Sequence, residues 1–167
     1  LQRGRQSLKL GAPIRIRISI QASRSLANLW EETQMDAIHA LLLFAAWTLL
    51  LIILVFLYRG VRVLGGTAIN SWPRGKDAGD LPIIKRITDA HANCLENLPI
   101  FAVIVLAAAA LSKSAAINPY AVYVLYARLG QSIVHLIGTS VPLVMIRATF
   151  WAIQLVLFVL MFAKLLS

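Results

Sequence analysis

The sequence predicts an all-α integral membrane protein built as a bundle of four transmembrane helices. Hydrophobic residues make up 59% of the chain and charged residues only 14%, where a soluble domain carries roughly a quarter charged residues. Mean hydropathy is +0.77. Apolar stretches recur at lengths that suit a hydrocarbon core of about 30 Å, at a rise of about 1.5 Å per residue. A chain of 167 residues then makes one membrane domain. The formal net charge is +9, from 16 Lys and Arg against 7 Asp and Glu. In a soluble chain such an excess would point to nucleic acid. Here the basic residues sit mostly in the tail and the loops, so anionic lipid headgroups are the expected partner and nucleic acid is not. Cys94 is the single cysteine, which excludes an intrachain disulfide. No Cys/His cluster or HExxH pair marks a metal site.

Taken in order, residues 1–34 form a basic arm carrying Arg3, Arg5, Lys9, Arg15, Arg17 and Arg24. Ile14 to Ile20 alternates like a strand, but an isolated strand has nothing to pair with. The arm lacks the apolar core and cleavage site of a signal peptide. It is expected to lie outside the working fold, as a disordered or non-native extension, and the membrane domain is expected to occupy residues 35–167. Ala37 to Tyr58 is the first span, a stretch without a formal charge that is long enough to cross the core. His39, near its outer end, reads as an interfacial histidine. Arg59 to Ile84 is the longest connection, basic and punctuated by Gly65, Gly66, Pro73 and Pro82, and reads as an aqueous loop.

Lys85 to Leu111 is the second span, with Pro99 expected to kink it. A short turn over 112–119 leads to the third span, Tyr120 to Ile137. A second turn over 138–145 leads to the fourth, Ile146 to Leu166. Such short turns make spans two to four antiparallel neighbours. Positive charge close to the membrane sets the orientation. The side holding both termini has three such residues, Arg24, Lys113 and Lys164. The other side has seven, Arg59, Arg62, Arg74, Lys76, Lys85, Arg86 and Arg147. The 59–84 loop is therefore expected to be cytoplasmic.

Ionisable groups at membrane depth are costly and usually face a bundle interior or a water-filled cavity. A helix turns about 100° per residue. Around span two, Asn97 falls about 20° to one side of Arg86 and Asn93 about 20° to the other. Beyond Asn93 come Asp89, about 60° from Arg86, and Glu96, about 80° from it. His91 falls about 140° away, off this stripe. In span three, Ser132, His135 and Gln131 lie within about 60° of Arg128; in span four, Trp151 and Gln154 lie within about 40° of Arg147. Asn97, Ser132 and Gln154 are the sort of residues that hold transmembrane helices together. An isolated ion pair of Glu96 with Arg86 or Arg128 would say little about function. Three arginines, two carboxylates, an asparagine and a histidine exceed what a small bundle needs for cohesion, and they point to a polar ligand site. Arginine forks suit carboxylates, and Glu96 suits an ammonium. A ligand with two carboxylates and one ammonium matches that set. Cys94, about 80° from Arg86 on the side away from Glu96, reads as a small packing residue.

Arg86, Ala92, Asn93, Glu96, Asn97, Pro99 and Phe101 stand in a spacing that resembles the MAPEG family, the membrane-associated proteins of eicosanoid and glutathione metabolism. Arg128 in span three and Arg147 at the start of span four extend the similarity over about residues 37–166, and the chain looks like a bacterial-type member, with the bacterial inner membrane as its expected location. The resemblance implies a homotrimer of four-helix subunits that binds glutathione as co-substrate between subunits. It implies that Asn93 and Glu96 hold the peptide, that Arg62 approaches from a neighbour, that Arg86, Arg128, Gln131 and His135 line the site, and that Arg147 stabilises the thiolate. The activity implied is that of a transferase or peroxidase on lipophilic electrophiles arriving from the bilayer. The chain departs from the family pattern at Asp89, where arginine is usual, at Gln131, where histidine is common, and at His135 and Trp151, where tyrosine is. The family includes members that bind lipid without catalysis, so a non-catalytic lipid-binding or scaffold protein is the competing expectation. A transporter or proton relay fits less well, because the polar groups occupy one membrane half and no repeat is visible.

Overall fold

The computed structural model describes residues 35–73 and 78–167. The N-terminal arm, together with Arg74 and Lys76, lies outside the described residues. Met35–Ser167 is a compact unit of four helices: α1 (Ala37–Leu64), α2 (Pro82–Ala110), α3 (Ser114–Ile137) and α4 (Val141–Leu166). By length and composition α1, α2 and α4 are apolar enough to cross a membrane. The lower hydropathy of α3 comes from residues turned inward. Its Arg128, Gln131, Ser132 and His135 are buried, while Tyr123, Tyr126, Ile133 and Ile137 face out. The protein is thus a transmembrane four-helix bundle.

Helix ends follow local chemistry more closely than charge did. α1 runs beyond Tyr58 to Leu64 and carries Arg59 and Arg62 with it. A charge does not stop a helix that leaves the bilayer. The stop is made by Gly65, whose N–H donates to the Val61 carbonyl, and by Gly66 at φ +94°. At its other end Asp36 caps the helix, accepting the His39 backbone N–H at 2.8 Å. α2 and α4 each open with a proline at the first or second position, where the missing N–H has no helical partner to lose. The second turn is therefore shorter than expected, since α4 starts at Val141. The first turn is shorter too. α3 starts at Ser114 and runs through Pro119, because packing outweighs one lost hydrogen bond: Ile117 and Ala121 are fully buried, and Asn118 accepts the Ala37 N–H at 3.0 Å. α2 likewise continues through Pro99.

α3 packs against all three other helices, and α2 touches α1, α3 and, less extensively, α4. α1 and α4 thus flank the α2–α3 pair without meeting. The inward face of α1 is read straight from spacing: Ala37, Ala40, Phe44, Thr48, Leu51 and Val55 recur every three or four residues and are all buried. Leu42, Leu49, Phe56 and Leu57 point outward. So much exposed aliphatic surface would be a liability in water and is the ordinary lipid-facing side of a membrane helix. A row of rings crosses the core, with Phe44 and Phe101 at 5.9 Å and Phe101 and Phe158 at 6.1 Å between centroids. Gly130 lets α4 close on α3, since a Cβ there would meet the Phe150 ring at 2.8 Å.

Candidate functional site

The loop between α1 and α2 and the turn between α3 and α4 lie at the same end of the bundle. There the first turns of α2 meet the last turn of α3 and the first turns of α4. His135 is the node. Only 4% of it is exposed. Its Nδ1 is 3.3 Å from the Asn93 side-chain nitrogen, and its Nε2 is 3.9 Å from Asp89 Oδ2. Arg86 and Arg147 are both within electrostatic range of the ring. Arg86 Nε donates to the Leu136 carbonyl at 2.9 Å, satisfying one of the orphan acceptors at the C-terminal end of α3. Arg147 Nε is buried and has no hydrogen-bond partner among the described residues.

The remaining predicted residues go elsewhere, and geometry explains why. On α2 the predicted stripe straddles the edge of the bundle. Exposure falls steadily around the wheel, from exposed Glu96 and Asp89, through half-buried Asn93 and Arg86, to buried Asn97 and Cys94. Glu96 therefore sits on the outer face of α2. Gln131 lies deeper, in a chain of amides across three helices. Asn97 Nδ2 donates to Gln154 Oε1 at 3.1 Å, and Gln154 Nε2 donates to Gln131 Oε1 at 2.8 Å. Arg128 is inside the bundle, 0% exposed. Its guanidinium lies over the Phe44 ring at 5.4 Å, with Glu96 within electrostatic range and none of its three nitrogens hydrogen-bonded among the described residues. Beside it, Cys94 Sγ is 3.8 Å from Ser132 Oγ.

Arg62 is held near the end of α1. Its Nη1 donates to the Tyr58 hydroxyl at 3.0 Å and its Nε to Thr67 Oγ1 at 3.2 Å. Asp80 is the residue that organises this region. Its carboxylate is 7% exposed, lies 3.9 Å from Arg59 and 4.0 Å from Arg62, and accepts the Trp72 indole N–H at 2.9 and 3.1 Å. Arg59 in turn stacks over Trp72 at 5.5 Å. Sequence reading passed over Asp80 and Trp72. The available signal was one indole, Trp72, and two carboxylates, Asp77 and Asp80, in an otherwise basic loop, where such groups need partners.

A bundle of four membrane helices, with lipid-facing aliphatic sides and a cluster of guanidinium groups at one end, defines a polytopic membrane protein. The chain belongs to the MAPEG family, whose sequence profile matches it over residues 37–167. Comparisons with curated proteins and with solved structures each gave no significant match. Membership makes this a membrane protein of the glutathione and eicosanoid metabolism type.

Proposed function

We propose that the protein is a glutathione-dependent transferase or peroxidase that acts on lipophilic electrophiles from the bilayer. The observation that carries this reading is the convergence of Arg86, Asn93, His135 and Arg147 at one end of the bundle, with Arg147 Nε buried and unpartnered among the described residues. Guanidinium groups accept carboxylates, and a cation beside a thiol in a partly desolvated site favours the thiolate. Arg147 is assigned that role. Two further features fit a homotrimer with sites between subunits. Glu96 faces outward, where it is open to a neighbour's Arg62, and α4 has no buried residue before Gln154. Arg128 and Gln131 then support the site from within. We place the subunit in the bacterial inner membrane with the α1–α2 loop cytoplasmic, following the positive charge.

Glutathione binding to detergent-solubilised protein, followed by thiolate absorbance in the ultraviolet, tests the reading. Wild type is expected to bind at millimolar glutathione or below and to form thiolate, and Arg147→Ala to bind without forming it. No binding at millimolar levels ends the proposal. The second reading, a non-catalytic lipid-binding or scaffold protein, is favoured by Asp89, an exposed carboxylate at the mouth of a site meant for anions. Turnover of a model electrophile that disappears in Arg147→Ala counts against it.

A further inference from the structure

Asp89 and His135 stand on different helices and far apart in sequence, yet they face each other at 3.9 Å. Asn93 closes on the other side of the ring at 3.3 Å. An amide nitrogen can only donate, so Nδ1 of the neutral imidazole carries its lone pair and the ring proton resides on Nε2, toward Asp89. Buried histidines on polar faces are often merely satisfied in this way. Here the charged surroundings say more. Arg86 and Asp89 from α2 and Arg147 from α4 are the charged groups facing the ring. A ring proton added there meets two cations, and the Asp89 carboxylate is the group that offsets them. That is the arrangement of an orienting carboxylate behind a base.

We propose that His135, oriented by Asp89, is the proton acceptor for the co-substrate thiol. The inference rests on the glutathione reading above. Asn93, assigned to the peptide, turns its amide to the ligand and releases the Nδ1 lone pair. The thiol proton passes to Nδ1, the S–H electron pair stays on sulfur, and the thiolate is left beside Arg147. The resulting imidazolium lies against Asp89. When the thiolate opens a strained or peroxidic C–O or O–O bond, the electron pair of that bond goes to the departing oxygen. That oxygen takes the proton back from Nδ1, and the ring returns to its neutral form. His135 is thus a catalytic residue and Asp89 a positioning one.

The test is the pH dependence of kcat/KM in wild type, His135→Gln and Asp89→Asn, with glutathione binding measured alongside. Wild type is expected to show a limb that rises with pH as His135 loses its proton. His135→Gln should bind glutathione within a few-fold of wild type, lose that limb, and fall in kcat by about 100-fold or more, the usual scale for a positioned base. Asp89 is exposed, so Asp89→Asn leaves the packing intact, and its limb should move to lower pH. His135→Gln that keeps the wild-type profile and kcat overturns the catalytic role, and an unmoved limb in Asp89→Asn overturns the pairing. Failure of wild type to bind glutathione is a different result, which removes the transferase reading itself.

Discussion

The two ends of the bundle are built to opposite rules. At the end away from the long loop, polar groups are spent on closure. Asn118 takes the first N–H of α1, and Lys113 Nζ donates to the Leu165 carbonyl at the C-terminal end of α4 at 2.9 Å. The phenylalanine row lies in that half, beside Ile104, Ala108, Ile117 and Met161, all fully buried. At the loop end the first half of α4 has no buried residue, Arg147 Nε has no partner among the described residues, and carboxylates stand on the outside of α2. The contrast teaches where binding energy remains to be used. Groups already satisfied within the bundle have little to offer a ligand, and unpartnered donors gain by finding one.

Mutations separate the two ends. The largest effect is expected in the closed half, where Phe101→Ala removes the ring that joins Phe44 to Phe158. It should cost about 3–5 kcal/mol of stability, read as a large fall in thermal midpoint in detergent. Arg147→Ala is expected to leave that midpoint near wild type and to lower turnover of a model electrophile by about 100-fold or more, the scale of losing one preorganised charge-stabilising donor. If Arg147→Ala unfolded the protein while keeping its specific activity, the division between the ends would fail.

Between these extremes lies the amide chain. Gln154→Ala leaves Asn97 and Gln131 unpaired in the core and should cost about 1 kcal/mol, typical of polar contacts between membrane helices. Its thermal shift should be well below that of Phe101→Ala. Asp80→Asn tests whether the loop clasp serves the site. It weakens the hold on Arg59 and Arg62, and should raise the apparent glutathione Kd several-fold while leaving the rate at saturation unchanged.

The smallest effect belongs to the cap of α1. The His39 backbone N–H holds the Asp36 carboxyl below its ordinary range. A carboxyl depressed on folding contributes stability above its unfolded pKa of about 3.9, and that contribution is lost as pH falls through the lower folded value. Asp36→Ala is therefore expected to lower stability by about 0.5 kcal/mol near neutral pH, the low end for a helix cap, with the gap to wild type closing only in strong acid. A gap that stayed unchanged into strong acid would show that the ionised carboxyl is not what caps the helix.

Much of this was legible in the chain, though unevenly. Of the residues expected at the site, Arg86, Asn93, His135 and Arg147 meet at the loop end. Glu96, only three positions from Asn93, faces outward. An arc of about 100° is wide enough to contain a site, a core and an outer surface at once. Spacing along a helix tells which residues share a side, and only the neighbouring helices tell where that side stops being inside. Proline shows a related limit of local reading. Its local cost at Pro119 is real, but burial of Ile117 and Ala121 overrides it.

What the sequence by itself determined is the class of fold. Long apolar stretches must satisfy their own backbone in lipid, and the helix does this without reference to anything else in the chain. The inward stripe of α1, the glycine stop after Leu64 and the proline starts of α2 and α4 are equally local. Tertiary structure alone decided the pairings. Asp89 meets His135, Asp80 gathers Arg59, Arg62 and Trp72, and Arg128 is enclosed among Phe44, Cys94 and Ser132, because each depends on how separate segments are brought side by side. Charge and hydrogen-bond strength act over a few ångströms in space, and distance along the chain carries no record of that nearness.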